Sequence, residues 1–257
     1  NLRVQGKAGR ITLQRPQALN AMTYEMCLAI EKILIEWKLD PKIELIIIDA
    51  QGDRAFCSGG DISDLYEEGS KGNYAYGKKF WDDEYRLNAL IANYPKPYIA
   101  FMQGFTMGGG VGISCHGSHR IVCETSKIAM PECSIGLIPD VGGSLLLSRA
   151  PSNLGYFLGL TGTQMNAADA VYAGFADIYI PKDEWSDIIN TLEETGDVSI
   201  LQRHSKKLGR SQLYDNKNFL QVAFESKNLS KIVQILSQSK NKLAHLALEK
   251  ITKNCPI

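Results

Sequence analysis

No stretch of this chain approaches the run of about 18 apolar residues that a membrane-crossing helix requires, so no helical span is expected. No signal peptide is legible either, although the first residue is Asn1 and not Met. A basic excess is missing: Lys+Arg and Asp+Glu are both 28, and the formal net charge is zero. Nucleic-acid binders usually carry surplus Lys and Arg, so nucleic acid is not an expected partner. A ligand bearing phosphates would still need only a few cations. The six cysteines, Cys27, Cys57, Cys115, Cys123, Cys133 and Cys255, form no CxxC pair. Such scatter suits reduced, mostly buried thiols in an intracellular protein. His116 and His119 make an HxxH, but no Cys or acid completes a ligand set around them, so no metal is expected. Asn228-Leu229-Ser230 matches a glycosylation sequon with no secretory context to support it.

Several catalytic signatures are also missing. Gly108, Gly110 and Gly112 alternate, but Ile113, Ser114 and Cys115 follow, so GxGxxG fails and a dinucleotide site is not expected. There is no Walker A lysine. "GGSLL" (142–146) lacks the closing glycine of a nucleophile elbow, which argues against serine-hydrolase chemistry.

What remains reads as an ordinary soluble globular chain. Its 257 residues are 44% hydrophobic and 22% charged, and suffice for one large domain or one domain with an appendage. "RITLQRP" (10–16) reads as a strand stopped by Pro16. Over 23–40, Met26, Ile30, Ile33 and Trp37 share a helical face behind a Thr23 N-cap. "IELIIIDA" (43–50) and "YIAFMQG" (98–104) look like strands buried on both faces. Residues 51–61 read as a loop, 62–69 as a short helix and 74–94 as a longer one. Strands are predicted at 119–125 and within 126–132, and helices from about Val141 to Gly174. A short strand (176–181) and polar helical segments complete the chain. The strand–helix alternation argues an α/β fold. The expected division is a core over residues 1–195 and a helical region over 196–257.

Two glycine clusters follow apolar strands and precede helical patterns: "CSGGD" (57–61) and "MGGGVG" (107–112). Glycine lets a ligand come close to main-chain N–H groups. Two such amides aimed at one point from helix starts form an oxyanion hole; tight turns are the plainer reading. "MPECSIGLIPDVGG" (130–143) sets Glu132 and Asp140 in an apolar stretch with no evident partner. Glu84 shares a helical face with Phe80, Leu87 and Ile91. A carboxylate there must reach water, find a partner or shift its pKa upward.

"AFCSGGDI" (55–62), "GFTMGGGVGISCHG" (104–117) and "AMPECSIGLIPDVGGSLLL" (129–147) together resemble the crotonase, or enoyl-CoA hydratase/isomerase, superfamily. "RPQALNAM" (15–22), "LGYFLGLTG" (154–162) and "AGFADIYIP" (173–181) fit the same order, so the resemblance runs from about residue 4 to about 195. Within the superfamily the chain is most similar to the 3-hydroxyisobutyryl-CoA hydrolases. "HG" follows the Gly-rich helix start, Asp140 stands where hydratases usually have Gly, and "DEYRLN" (83–88) carries a Glu-Tyr pair. Chains of that branch continue past a segment like "LEKITKNCPI", so a C-terminal part is expected to be absent from this sequence.

The resemblance implies a (ββα)n spiral core with a C-terminal helical region. It implies no cofactor beyond the coenzyme A carried by the substrate. The amides of Gly60 and Gly109 would hold the thioester oxyanion, with Glu132 and Asp140 beside the carbonyl and Glu84 at the 3-hydroxyl. Asp61 and Ile62 would border the CoA chain, and Arg15 would meet its phosphates or simply sit on the surface. Tyr85, Phe105 and Leu137 are expected in the pocket wall. Hydratases carry a first glutamate in a "GGGxE" pattern, and Gly112 occupies that place here. The implied activity is hydrolysis of a short branched 3-hydroxyacyl-CoA, as in valine catabolism. Glu132 would act as nucleophile or as base for water, and Asp140 would assist the leaving thiolate. The alternatives are a hydratase or isomerase, and a non-catalytic acyl-CoA-binding protein. A homo-oligomer fits the superfamily, and the location would be cytoplasmic in bacteria or the mitochondrial matrix in eukaryotes.

Overall fold

In the computed structural model, which describes residues 1–226 and 228–255, the long apolar runs become the middle of a parallel sheet. The chain runs β1 (Leu2–Gln5), β2 (Ala8–Leu13), α1 (Tyr24–Leu39), β3 (Leu45–Ala50), β4 (Ala55–Cys57), α2 (Ile62–Ser70) and α3 (Tyr74–Ala92). It continues β5 (Tyr98–Met102), β6 (Phe105–Met107), α4 (Gly109–Ser114), β7 (His119–Val122), β8 (Lys127–Ala129) and α5 (Gly143–Arg149). Then come α6 (Leu154–Thr161), α7 (Ala167–Ala173), β9 (Ile178–Tyr179), α8 (Trp185–Thr195) and short helical segments as far as Lys253.

Six strands pair in the order β1-β2-β3-β5-β7-β9, and only β1 with β2 is antiparallel. The three short strands form a second parallel sheet, β4-β6-β8. The three middle turns, β3–β4, β5–β6 and β7–β8, each place one strand in the large sheet, the next in the small sheet, and then helix. This is the ββα repeat expected.

Strand alternation builds two cores. Ile46, Ile48, Ala100 and Met102 face α1 and α3 in one buried cluster. Leu45, Ile47, Ile99 and Phe101 face Trp185, Ile188 and Leu192 of α8 in the other. Each fully buried side chain of this size contributes roughly 1.5–3 kcal/mol, so the central strands are anchored from both sides. The segments beyond residue 196 add Leu220, Phe224 and Leu236 to the first cluster, with Phe224 edge-on to Phe157 of α6 at 5.6 Å. No described helix is long and apolar enough to cross a membrane.

The structure corrects several boundaries. The loop expected over 51–61 contains β4, three residues long and too short to show a period. β6 hides in the glycine-rich run for the same reason, and β1 is nearly all exposed and so has no apolar signature. The expected strand at 176–181 is only Ile178–Tyr179. On α1 the buried stripe is Cys27, Ile30, Glu31, Leu34 and Trp37, so Met26 and Ile33 lie at its edge. The Thr23 cap is present, its side chain accepting from Met26 N–H at 3.2 Å.

Candidate active site

The small sheet determines what meets what. Its strands are parallel, so their C-terminal ends emerge side by side. β4 ends at Cys57, three residues before Gly60. β6 ends at Met107, two before Gly109. β8 ends at Ala129, three before Glu132. Residues far apart in sequence thus arrive at one edge. Gly59 (φ 120°) and Gly108 (φ 50°) turn the chain there in conformations that side chains resist. Each directly precedes one of the two amides expected to face a ligand, Gly60 and Gly109.

Among the described residues, neither Gly60 N–H nor Gly109 N–H donates to a protein acceptor. Gly109 is the first residue of α4, where N–H groups have no intrahelical partner and the helix dipole favours negative charge. The two glycines are close: a Cβ built on Gly109 would lie 3.0 Å from Gly60 N and 2.8 Å from Glu84 Oε1. A Cβ on Gly108 would lie 3.0 Å from Glu132 Oε1. Both amides, Glu84 and Glu132 therefore converge, and with Asp140 they line one cavity of about 180 Å³. Its apolar wall includes Ile62, Leu65, Phe80, Trp81 and Leu137.

Three carboxylates share this small volume, and burial dominates each. Desolvation, then the charges of Asp140 and Glu132, raises Glu84 to about 8. Desolvation, with a smaller contribution from Asp140, raises Glu132 to about 7. Asp140 is also raised by desolvation, although a hydrogen bond from the Tyr85 hydroxyl to its Oδ2 at 2.7 Å favours the ionised form. Glu84 Oε1 and Glu132 Oε2 are buried and have no protein partner among the described residues. Buried oxygens of this kind are suited to a bound ligand's donors or to the reacting atoms themselves.

α3 holds Glu84 firmly. Its neighbour Asp83 accepts from Lys79 at 3.0 Å, from Arg86 at 2.8 Å and from the Tyr24 hydroxyl. Arg86 also grips Glu31 of α1 with two nitrogens. The Tyr24 hydrogen bond comes first among the causes that bring Asp83 down to about 2.

The other expected site residues divide. Asp61 caps α2, accepting from Ser63 N–H, and receives Arg15 Nη2 at 2.9 Å. Arg15 also donates Nη1 to Ala21 O at 2.6 Å, so most of its fork braces the loop entering the site. Ile62 stands at the cavity mouth, half exposed. Phe105 is a correction. It sits at the N-terminal end of β6, the far end from Gly109, beneath the Lys127 ammonium, and does not line the cavity. Its place in the wall is taken by Trp81 and Leu65, whose helices the sequence did not bring near Gly60. Gly112 is packed shut: a Cβ there would lie 2.7 Å from Asn88 Nδ2 and 2.8 Å from Val141 Cβ. His116 turns to Val141 O and His119 to Ser118 Oγ, so the HxxH does not converge. Among the described residues no group of three or more His, Cys, Asp or Glu is placed to hold a metal ion.

Known proteins share this fold. Residues 8–257 match the enoyl-CoA hydratase/isomerase family. The mitochondrial 3-hydroxyisobutyryl-CoA hydrolase of Danio rerio is 43% identical over 195 residues, covering 76% of this chain and 51% of that protein. The human mitochondrial enzyme of the same name is 36% identical over 266 residues, covering 99% and 69%. The chain thus spans about half to two thirds of the length of these curated relatives. Among solved structures, an enoyl-CoA hydratase from Rhodobacter sphaeroides superposes with a TM-score of 0.96 at 47% identity, covering all of this chain and 74% of that one. A carnitinyl-CoA dehydratase from Mycobacterium thermoresistibile gives 0.96 at 38%, covering all of this chain and 75% of that one. These matches run through the strand ends that carry the amides and the segment that carries the acids; the chain belongs to the enoyl-CoA hydratase/isomerase family and is similar, within it, to the 3-hydroxyisobutyryl-CoA hydrolases.

Proposed function

We propose that the protein is an acyl-CoA thioester hydrolase acting on a short branched 3-hydroxyacyl-CoA of the 3-hydroxyisobutyryl type, a step of valine breakdown. One observation carries the reading. Glu132 and Asp140 line the cavity that holds the Gly60 and Gly109 amides, while position 112 is closed by Asn88 and Val141. The acids are thus grouped around a carbonyl held by two N–H donors, and the place of the first hydratase glutamate is filled.

The thioester oxygen accepts from the two amides, each contributing on the order of 3 kcal/mol to oxyanion stabilisation. The ionised Glu132 carboxylate attacks the carbonyl carbon, forming a mixed anhydride and breaking the C–S bond. Asp140, which accepts from the Tyr85 hydroxyl, orients and assists proton transfer from water to the departing thiolate. Water then cleaves the anhydride, regenerating Glu132. Glu84 accepts from the 3-hydroxyl when ionised or donates to it when protonated, and the small apolar cavity limits the acyl group. The mitochondrial location in the relatives' names supports a matrix location for a eukaryotic form.

The test is single turnover in ¹⁸O-labelled water. Label appearing in Glu132 supports the anhydride; label only in the released acid, with no acyl-enzyme trapped by hydroxylamine, supports direct attack by water. Glu132→Gln should bind acyl-CoA without releasing thiol, and near-native turnover in that variant removes Glu132 from the chemistry. A second reading is favoured by Glu84, a second glutamate in the same cavity, and by the hydratase and dehydratase names of the structural relatives. Two glutamates can add water across a double bond. Absorbance change with crotonyl-CoA, and no thiol released from 3-hydroxyacyl-CoA, selects it.

A further inference from the structure

We infer that His116 is a positioning residue for Asp140, acting through the main chain of Val141; the inference builds on the hydrolase reading above. Val141 follows Asp140 directly and has φ 44°, in the left-handed region, with its side chain fully buried. A β-branched residue rarely takes that conformation, because its Cβ crowds the carbonyl. Gly142 follows with φ 74°, so the turn leaving Asp140 makes two left-handed steps in succession. Such a turn persists only where its surroundings hold it.

Two contacts hold it, and both come from the α4 segment. The Val141 side chain is seated against Gly112, with no space for a Cβ between them. Four residues on, His116 Nε2 lies 2.8 Å from Val141 O. A carbonyl can only accept, so Nε2 carries the hydrogen. The imidazole also packs against Gly142, where a Cβ would come within 2.5 Å of Nε2. From the other side Tyr85 fixes Oδ2 of Asp140. α4 therefore begins with the Gly109 amide and, past its C-terminal end, fastens the turn that presents the acid. One element sets the distance between the oxyanion site and Asp140. His116 need not touch substrate, and it serves equally in its neutral or charged form.

The experiment compares His116→Ala, His116→Gln, Val141→Gly and the double variant His116→Ala/Val141→Gly, with melting curves confirming that each is folded. In His116→Ala, kcat for thiol release should fall on the order of 10–100-fold, the scale of a misplaced catalytic group, while KM changes little. Gln, whose amide can reach the same carbonyl, should recover most of the loss. Glycine takes positive φ without strain, so in the Val141→Gly background the His116→Ala step should cost much less. A second readout needs no turnover: the ¹³C carboxyl titration of Asp140 should move in His116→Ala and return in His116→Gln. Native kcat in His116→Ala, equal damage from Ala and Gln, or an unmoved Asp140 titration overturns the inference. Failure of the hydrolase reading shows separately, as native protein that releases no thiol from any 3-hydroxyacyl-CoA, and the Asp140 titration then decides the positioning role alone.

Discussion

Replacing Glu84 by Gln should stabilise the protein at alkaline pH, by an amount the structure bounds. The Glu84 carboxyl is buried, with one oxygen lacking a protein partner among the described residues. Desolvation, then Asp140 and Glu132, lifts it from 4.5 to about 8. In the unfolded chain it ionises near the ordinary value. Between the two values the folded state keeps a proton that the unfolded state has released. Stability contributed by this group is therefore present below the unfolded pKa and lost as pH rises through the folded one. At about 1.4 kcal/mol per unit the full loss is on the order of 5 kcal/mol, less where the neighbouring acids share the proton. Gln keeps the shape and the neutral state but cannot ionise. Unfolding free energies from urea titrations between about pH 4.5 and about pH 9 should nearly coincide at the acid end and separate by roughly 2–5 kcal/mol at the alkaline end. Parallel curves across that range would refute a buried, proton-holding Glu84.

Three further outcomes follow from the same geometry. Burial first, and then the charge of Asp140, raises Glu132 to about 7, so kcat/KM should rise through that pH. In Asp140→Asn the residual activity should show this limb at lower pH, and an unmoved or raised limb contradicts the proposed coupling. Gly109→Ala places a methyl 2.8 Å from Glu84 Oε1 and 3.0 Å from Gly60 N. It should cut kcat on the order of 100-fold and, because the methyl meets the Gly60 main chain, lower the melting temperature as well; near-native turnover would mean that the two amides and Glu84 do not converge as described. Gly112→Ala drives a methyl against Asn88 and Val141, so it should lower stability by about 1–3 kcal/mol in urea unfolding. An unchanged midpoint would mean that position 112 is open after all.

Much of this could be read from residue types alone, and the reasons are physical. The buried runs of β3 and β5 have four or more consecutive apolar residues, a pattern only doubly covered strands need. Glu84 stood out because a carboxylate on the Phe80–Leu87–Ile91 stripe has no inexpensive place to go. It is indeed buried there. β4, β6 and β8 were poorly legible because three residues cannot display a period, and it is those strands that assemble the site. Phe105 was wrongly placed in the cavity wall because membership depends on which end of β6 it occupies, and Trp81 and Leu65 were missed because it also depends on where α3 and α2 dock. The closure at Gly112 also needed coordinates. It arises between α3, α4 and the turn after Asp140, which no local pattern connects.

The small parallel sheet has one more consequence. Neighbouring strands in a sheet stand roughly 4.8 Å apart, so the stations after β4, β6 and β8 are spaced by backbone pairing and not by side chains. Such a frame works like a jig with fixed drill positions. On the proposed function, a change of reaction would be reached by exchanging what is mounted beside those positions, as at 84, 112 and 140, while the carbonyl cradle itself stays put. Reaction type and acyl placement can vary independently on this scaffold.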